Sequence, residues 1–335
     1  MATNSSSGND PSFAMSELFL FYSKNVFATL HILLFFLGMS GNVLLLLVLI
    51  LSLRRKSGSH IARLMEPLLI NIASLDLIFF LYNFPVMLGN IMFKDWHLGY
   101  LFCVTHHSLS LWITFADFYS MLAVSLLRYT AVIHPVHMVL ISPRQISLAC
   151  IFIWLVCLLF SIPVWLHYGI IEVEREIFCV SHMASTDLNL YLQLLGGVGF
   201  LPALLIMIFC YSRIISTLRV RRILSIHTAA SLHANWRATM MALVTMVALV
   251  VMSLPYWLMV FFARNDQVLT TAPMYLAYHL TSFLAFANHC INPVICFCLS
   301  FQFQARLRNL FRRAGKGIRQ LGLSHVGRTE ADEGK

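Results

Sequence analysis

The sequence predicts an all-α membrane protein: a seven-transmembrane helix bundle, N-terminus outside, followed by a short amphipathic helix on the inner leaflet. Three observations carry that prediction. The 335-residue chain is 59% hydrophobic and only 11% charged, with mean hydropathy +0.79, which is more apolar surface than one soluble core of this length consumes. Apolar runs recur seven times, at about 25–53, 64–92, 100–133, 146–167, 188–218, 238–263 and 272–299, each longer than the ~20 residues that a helical crossing needs. With the N-terminus outside, 19 of the 23 Lys and Arg residues fall on the inner side, leaving Lys24, Lys94, Arg175 and Arg264 outside. That asymmetry fixes the orientation.

The net charge of +9 clusters beside the spans, which is a topology signal and not a polyanion-binding stripe. No nucleic-acid partner is expected; the lipid bilayer is. Residues 1–24 read as an extracellular tail whose first dozen residues are polar, without a basic region and cleavage site. The first span then serves as its own targeting signal. Asn4-Ser5-Ser6 is a glycosylation sequon that has meaning only on the outer side.

The bundle proper is read over 25–299. Its third run spans 25 residues from Cys103 to Arg128, about 37 Å of helix at ~1.5 Å per residue against a hydrocarbon core of roughly 30 Å. The cysteine belongs at one membrane face and the arginine at the other. Between them Asp117 places a carboxyl near mid-membrane, where a charge is costly and usually functional. It precedes Arg128 by close to three turns, so both share a helical face.

Six of the eight cysteines, Cys150, Cys157, Cys210, Cys290, Cys296 and Cys298, lie inside apolar runs as small packers. Cys103 and Cys179 fall outside, in an oxidising compartment where a bridge between them can persist; two unpaired thiols are the alternative. No CxxC pairs with a second one, so a structural zinc site is not expected. After the last run, SFQFQARLRNLFRR sets Phe303, Leu307, Leu310 and Phe311 on one face and Arg306, Arg308, Arg312 and Arg313 largely elsewhere. That is a basic amphipathic helix over 300–314, suited to an anionic leaflet, with 315–335 as a cytoplasmic tail.

With these elements placed, the chain resembles the rhodopsin-like (class A) G protein-coupled receptors over residues 20–315. The motifs are Gly41-Asn42, Asn71-Ile-Ala-Ser-Leu-Asp76, Cys103, Arg128-Tyr129, Trp154, Pro202, Pro255, Asn288 and Asn292-Pro293, in that order along the spans. Phe84-Pro85, Trp96-x-x-Gly99 and the HPVHM after the third span look most like the galanin and kisspeptin branch of peptide receptors. The resemblance implies that Asp76, Asn42, Asn288 and Asn292 meet in a pocket that holds sodium. Asp117 adds a second carboxyl where relatives carry a small hydroxyl. Two neighbouring buried acids resist ionising together unless a cation lies between them; a bound sodium or a held proton is the functional reading, and an ordinary helix-to-helix hydrogen bond from a protonated Asp117 is the alternative. No other cofactor is implied.

The resemblance also implies that Arg128 and Tyr129, with the basic Arg219, Arg221 and Arg222, face a heterotrimeric G protein. Pro85, Pro163, Pro202, Pro255 and Pro293 each free a backbone carbonyl, and kinks in the sixth and seventh spans let inner halves swing open. Several switch positions depart from the family pattern. Leu127 replaces the acid beside the arginine, Ser253 the tryptophan two residues before Pro255, Leu249 the aromatic before it and Cys296 the seventh-span tyrosine; Tyr211 is displaced by one position. High basal signalling and weak coupling are both consistent with such changes.

Eight acids lie outside: Asp10, Glu17, Asp95, Glu172, Glu174, Glu176, Asp187 and Asp266. Glu172, Glu174 and Glu176 alternate as on one edge of a β-hairpin. They favour a cationic ligand by steering, with a solvated loop as the bland alternative. The upper third span reads His106-His107-Ser108-Leu109-Ser110, without the acid that amine receptors share. His97, His106, His107, His167, His182 and His279 could sense protons or zinc, though no metal-motif spacing links them. By depth, the ligand-pocket candidates are Phe84, His106, His107, Trp112, Tyr256, Trp257 and Tyr278, all of which could equally be packing.

The function read from the sequence is a plasma-membrane receptor for an extracellular peptide, acting on a G protein by helix rearrangement. A signalling-poor, ligand-scavenging or modulatory member and a proton- or zinc-modulated orphan are the alternatives. A transporter wants a continuous polar path that Asp76 and Asp117 are too isolated to make. An enzyme wants a nucleophile–base pair, phosphate loop or metal signature that the chain lacks.

Overall fold

The computed structural model describes residues 11–55, 59–93, 95–224, 229–262, 272–301 and 303–312. Asn4, Asp10, Lys94, Arg264, Asp266 and the tail 315–335 lie outside the described residues. In chain order the elements are α1 (Pro11–Arg55), α2 (His60–Met92), α3 (Gly99–Ile133), α4 (Pro135–Leu140) and α5 (Pro143–His167). Then come β1 (Tyr168–Val173), β2 (Glu176–Ser181), α6 (Ser185–Leu194), a π-helical segment (Leu195–Phe200), α7 (Leu201–Ile223), α8 (Ala229–Phe262) and α9 (Ala272–Leu299). Residues 303–312 form a further helix, α10. Among the described residues seven helices are long and apolar enough to cross a membrane.

Local sequence sets the helix starts. Ser59 caps α2 by accepting the Ala62 amide. Ser142 and Gln145 form a reciprocal capping box ahead of α5, with Pro143 in its first turn. Gly99, at φ 79°, begins α3 in a conformation that only glycine adopts freely. Within the spans Ser40, Ser74, Thr114, Ser147, Thr245 and Thr281 return their hydroxyls to the carbonyl four residues back. Lipid offers no alternative partner for them.

Burial follows the membrane. On α5 only Cys150, Cys157, Ser161 and Val164 are buried, one narrow stripe. Leu148, Phe152, Leu155 and Leu159 are left outward. Such an apolar outer surface is tolerable in hydrocarbon and a liability in water. α3 is the central element, packed against α2, α5, α7 and α8, while α1 lies along α2 and α9. One core cluster, with Leu64, Phe118, Met121, Leu127, Met207 and Leu249, fills the Arg128 end of the bundle. A second, with Phe79, Phe80, Ile113, Phe115 and Phe286, fills the end that carries the hairpin.

Two sequence expectations are corrected here. The hairpin exists, but Glu172, Glu174 and Glu176 do not line one edge. Glu174 and Arg175 form its two-residue turn, with φ 51° and 71°, while Glu172 lies on β1 opposite Ile177 and Glu176 on β2 opposite Val173. The paired positive φ values match the right-handed twist of the strands, so the alternation breaks at the turn. The apolar face of α10, expected on the leaflet, is partly taken by the bundle. Phe303 is buried with Leu45, Leu49, Ala73 and Cys296, and Leu307 packs beside it; Phe311 stays exposed.

Candidate functional site

The sequence motifs meet in pairs. Asn71 donates to Ser120 Oγ at 2.7 Å and accepts from the Trp154 indole at 2.7 Å, which ties α2, α3 and α5 together. Gly41 faces Pro293, and a Cβ on it would sit 3.0 Å from the ring. Trp96 donates its indole to the Gly99 carbonyl and its amide to Ile177 on β2. It packs on the Cys103–Cys179 disulfide, which pins the hairpin to the start of α3.

At mid-bundle lies a polar cluster. Asp76 is fully buried; its Oδ1 faces His289 Nδ1 at 2.7 Å and its Oδ2 accepts from Asn292 at 3.0 Å. Asn42 donates to the carbonyls of Gly38 and His289, both at 3.0 Å. Asn288 is buried on α9 beside them. Asp117 reaches the same cluster from α3: ligand-capable atoms of Asp76, Asp117 and His289 all lie within 4.8 Å of one another. Its Oδ1 is buried without a partner.

Arg128 lies at the far end of α3, with its Nε buried and unpartnered and no ion pair among the described residues. It lines a cavity of about 360 Å³ together with Ile72, Arg237, Asn292, Cys296 and Arg306. Leu127 turns away into the apolar core. Tyr129 approaches His134 and Phe209 with rings 5.8 and 6.1 Å apart. Tyr211 is buried and accepts from Ser125 at 3.2 Å. Arg219, Arg221 and Arg222 end α7 at this same face, the first and last exposed. Pro202 opens α7, and Pro255 and Pro293 sit inside α8 and α9, as does Pro67 in α2 beside the expected Pro85. Ser253 borders a second cavity, of about 190 Å³, between α3, the π segment and α8; Phe115, Phe118, Phe200, Leu249 and Trp257 are among its lining residues.

The ligand candidates separate. Phe84 stacks on Phe35 of α1 at 4.2 Å, and Trp112 turns to α5, donating to the Trp154 carbonyl at 2.8 Å; helix packing occupies both. His107 stacks on Tyr168 at 4.1 Å beside His106, and Tyr256 faces Tyr278. Burial raises the Tyr168 phenol above its ordinary range. Of the other outer histidines, His97 pairs with Asp95, His279 stacks on Phe27 and His167 bonds its own helix.

Two site residues escape a reading of the sequence alone. His289 precedes Asn292 by three residues, so both look from one face of α9; a histidine in an apolar run is as much a signal as an acid. Glu66, in the second turn of α2, is buried and ion-paired to Arg306 at 3.1 Å.

The family model for the 7 transmembrane receptor (rhodopsin family) matches residues 41–295. Similar proteins include C-C chemokine receptor type 8 of Mus musculus, 25% identical over 89% of this chain and 83% of its own length. The urotensin-2 receptor of Homo sapiens is 25% identical over 84% of this chain and 70% of its own. Galanin receptor type 3 of Mus musculus is 29% identical over 83% and 76%.

Proposed function

From the premise that the chain belongs to the rhodopsin family of seven-transmembrane receptors, which are receptors and not enzymes, we propose that it binds a peptide at its hairpin end and activates a heterotrimeric G protein at its Arg128 end. In the plasma membrane the hairpin end then faces outward and the basic ends of α7 and α10 face the cytoplasm, in keeping with the Lys and Arg asymmetry. The peptide reading draws on relatives named for chemokines, urotensin-2 and galanin. Glu172, Glu174 and Glu176, all exposed, would steer a cationic segment towards His106, His107, Tyr256, Trp257 and Tyr278.

The observation that carries the coupling half is Arg128, without an ion pair among the described residues, at the wall of the 360 Å³ cavity. A guanidinium there is free to engage the carbonyls of an inserted helix end. Outward movement of the inner part of α8, hinged near Pro255, would widen that cavity. Leu127 supplies no acid to hold Arg128 at rest, which favours ligand-free signalling.

One observation favours a second reading. At Ser253 itself α8 presents only a small side chain to the cavity beside Phe115 and Phe118 of α3, which loosens the coupling of the two helices at that level, as in a member that binds ligand and signals poorly. Ligand-free nucleotide exchange, compared between wild type and Arg128→Ala at matched surface expression, tests the proposal. Exchange lost in the variant supports it. Silence in both, across G-protein subtypes and a peptide panel, supports the signalling-poor reading instead.

A further inference from the structure

The family resemblance implies sodium in the pocket around Asp76, and this chain adds to that pocket a second carboxylate and an imidazole, a donor set that suits a different ion better. Sodium is a hard monovalent cation that oxygen donors serve. Here the cluster offers two carboxylates and an imidazole, Asp76, Asp117 and His289, with ligand-capable atoms within 4.8 Å. We propose that Asp76, Asp117 and His289 form a binding site for a divalent transition cation of the zinc type.

Charge balance is the first argument. Asp76 and Asp117 are 0% and 1% exposed, at a depth where an uncompensated charge is expensive. Two carboxylates with one sodium ion leave a net negative charge; with one divalent ion they leave none. Donor chemistry is the second. Imidazole nitrogen suits zinc and its neighbours, whereas magnesium and calcium take oxygen. Zinc at ~2.0–2.2 Å from nitrogen and oxygen donors is four-coordinate, so three protein ligands leave one position for water.

The third argument is the unspent donor. Asp117 Oδ1 is buried and has no partner among the described residues, although it reaches the same cluster as two groups that do. A carboxyl that existed only to bridge helices would show the bridge. The donors are also held from behind, as metal ligands are. Asn292 donates to Asp76, Asn42 donates to the backbone carbonyl of His289, and Phe79 stacks on the imidazole at 3.7 Å. Asn292, which donates to Asp76, also lines the 360 Å³ cavity at the Arg128 end, so one side chain separates the site from that cavity.

Metal binding is read directly on the purified chain, so its test needs no signalling. The full chain, purified through a tag without histidine and stripped with chelator, is titrated with zinc, magnesium or sodium in detergent or nanodiscs. Bound metal and thermal unfolding are both read. Wild type should hold about one zinc, and at free zinc ~100-fold above its dissociation constant the melting temperature should rise by several degrees. Magnesium, and sodium at physiological strength, should not reproduce the shift. Asp117→Asn and His289→Ser should each weaken zinc binding by ~100-fold or more, beyond the about 10–100-fold that loss of a supporting partner costs. Asp117→Asn should keep its metal-free melting point, which separates ligand loss from misfolding. A wild type stabilised by sodium and indifferent to zinc would overturn the proposal. So would a zinc shift undiminished in both variants, which would place the metal on other residues.

Discussion

Arg306 Nη1 lies 3.1 Å from Oε1 of Glu66, and the same oxygen accepts the Ser52 hydroxyl at 2.7 Å. One buried carboxylate thus joins α1, α2 and α10. Removing one partner of a buried pair leaves an uncompensated charge, so Arg306→Ala should cost about 3 kcal/mol of stability. Glu66→Gln added to Arg306→Ala should recover part of that loss. Thermal unfolding of the purified variants measures both, and a double variant no more stable than Arg306→Ala would contradict the account.

The Cys103–Cys179 bridge closes 76 residues of sequence separation. Cys103→Ser should lower stability by about 3 kcal/mol and lower surface expression, with Cys103→Ser/Cys179→Ser no worse than either single change. Thiol labelling before and after reduction should expose two further reactive groups in the wild type only.

Gly38 is set by a close approach. A Cβ at this position would run into the Phe80 ring, and Phe80 is fully buried. Gly38→Ala should therefore cost about 1–3 kcal/mol through overpacking, and Phe80→Leu in the same chain should relieve it. Equal melting points for Gly38→Ala and wild type would show that the ring can step aside.

Leu127→Asp should lower ligand-free nucleotide exchange. The new carboxylate is adjacent to Arg128, whose side chain has no ion pair among the described residues, and the pairing offsets the cost of replacing a buried leucine. Leu127→Asn, similar in size but uncharged, should leave exchange near the wild-type level. Unchanged output in the aspartate variant would remove Leu127 from the account of basal activity.

The spans and the disulfide are legible in the sequence because hydropathy runs and cysteine positions are one-dimensional. Depth along a helix is legible too, but rotation about its axis is not. Phe84 and Trp112 have the depth of pocket residues and yet turn to α1 and α5. The outer glutamates alternate in sequence, and only the positive φ at Glu174 and Arg175 shows where the alternation stops. Asp76 and Asp117 stand out as acids in apolar runs. His289 and Glu66 carry the same information, and their partners, 213 and 240 residues away, belong to the tertiary fold alone.

The π-helical segment Leu195–Phe200 sets a phase between the two halves of the fifth crossing. A π-turn contains one residue more than an α-turn, so the residues beyond the segment are rotated by about 100° relative to a uniform helix. Tyr191, before the segment, donates to the Phe160 carbonyl at 2.5 Å, and Tyr211, after it, meets Ser125 at 3.2 Å. The extra residue thus sets the phase in which one phenol meets α5 and the other meets α3. Relaxation of this one turn would rotate one half like a screw and release a tyrosine at one membrane face or the other.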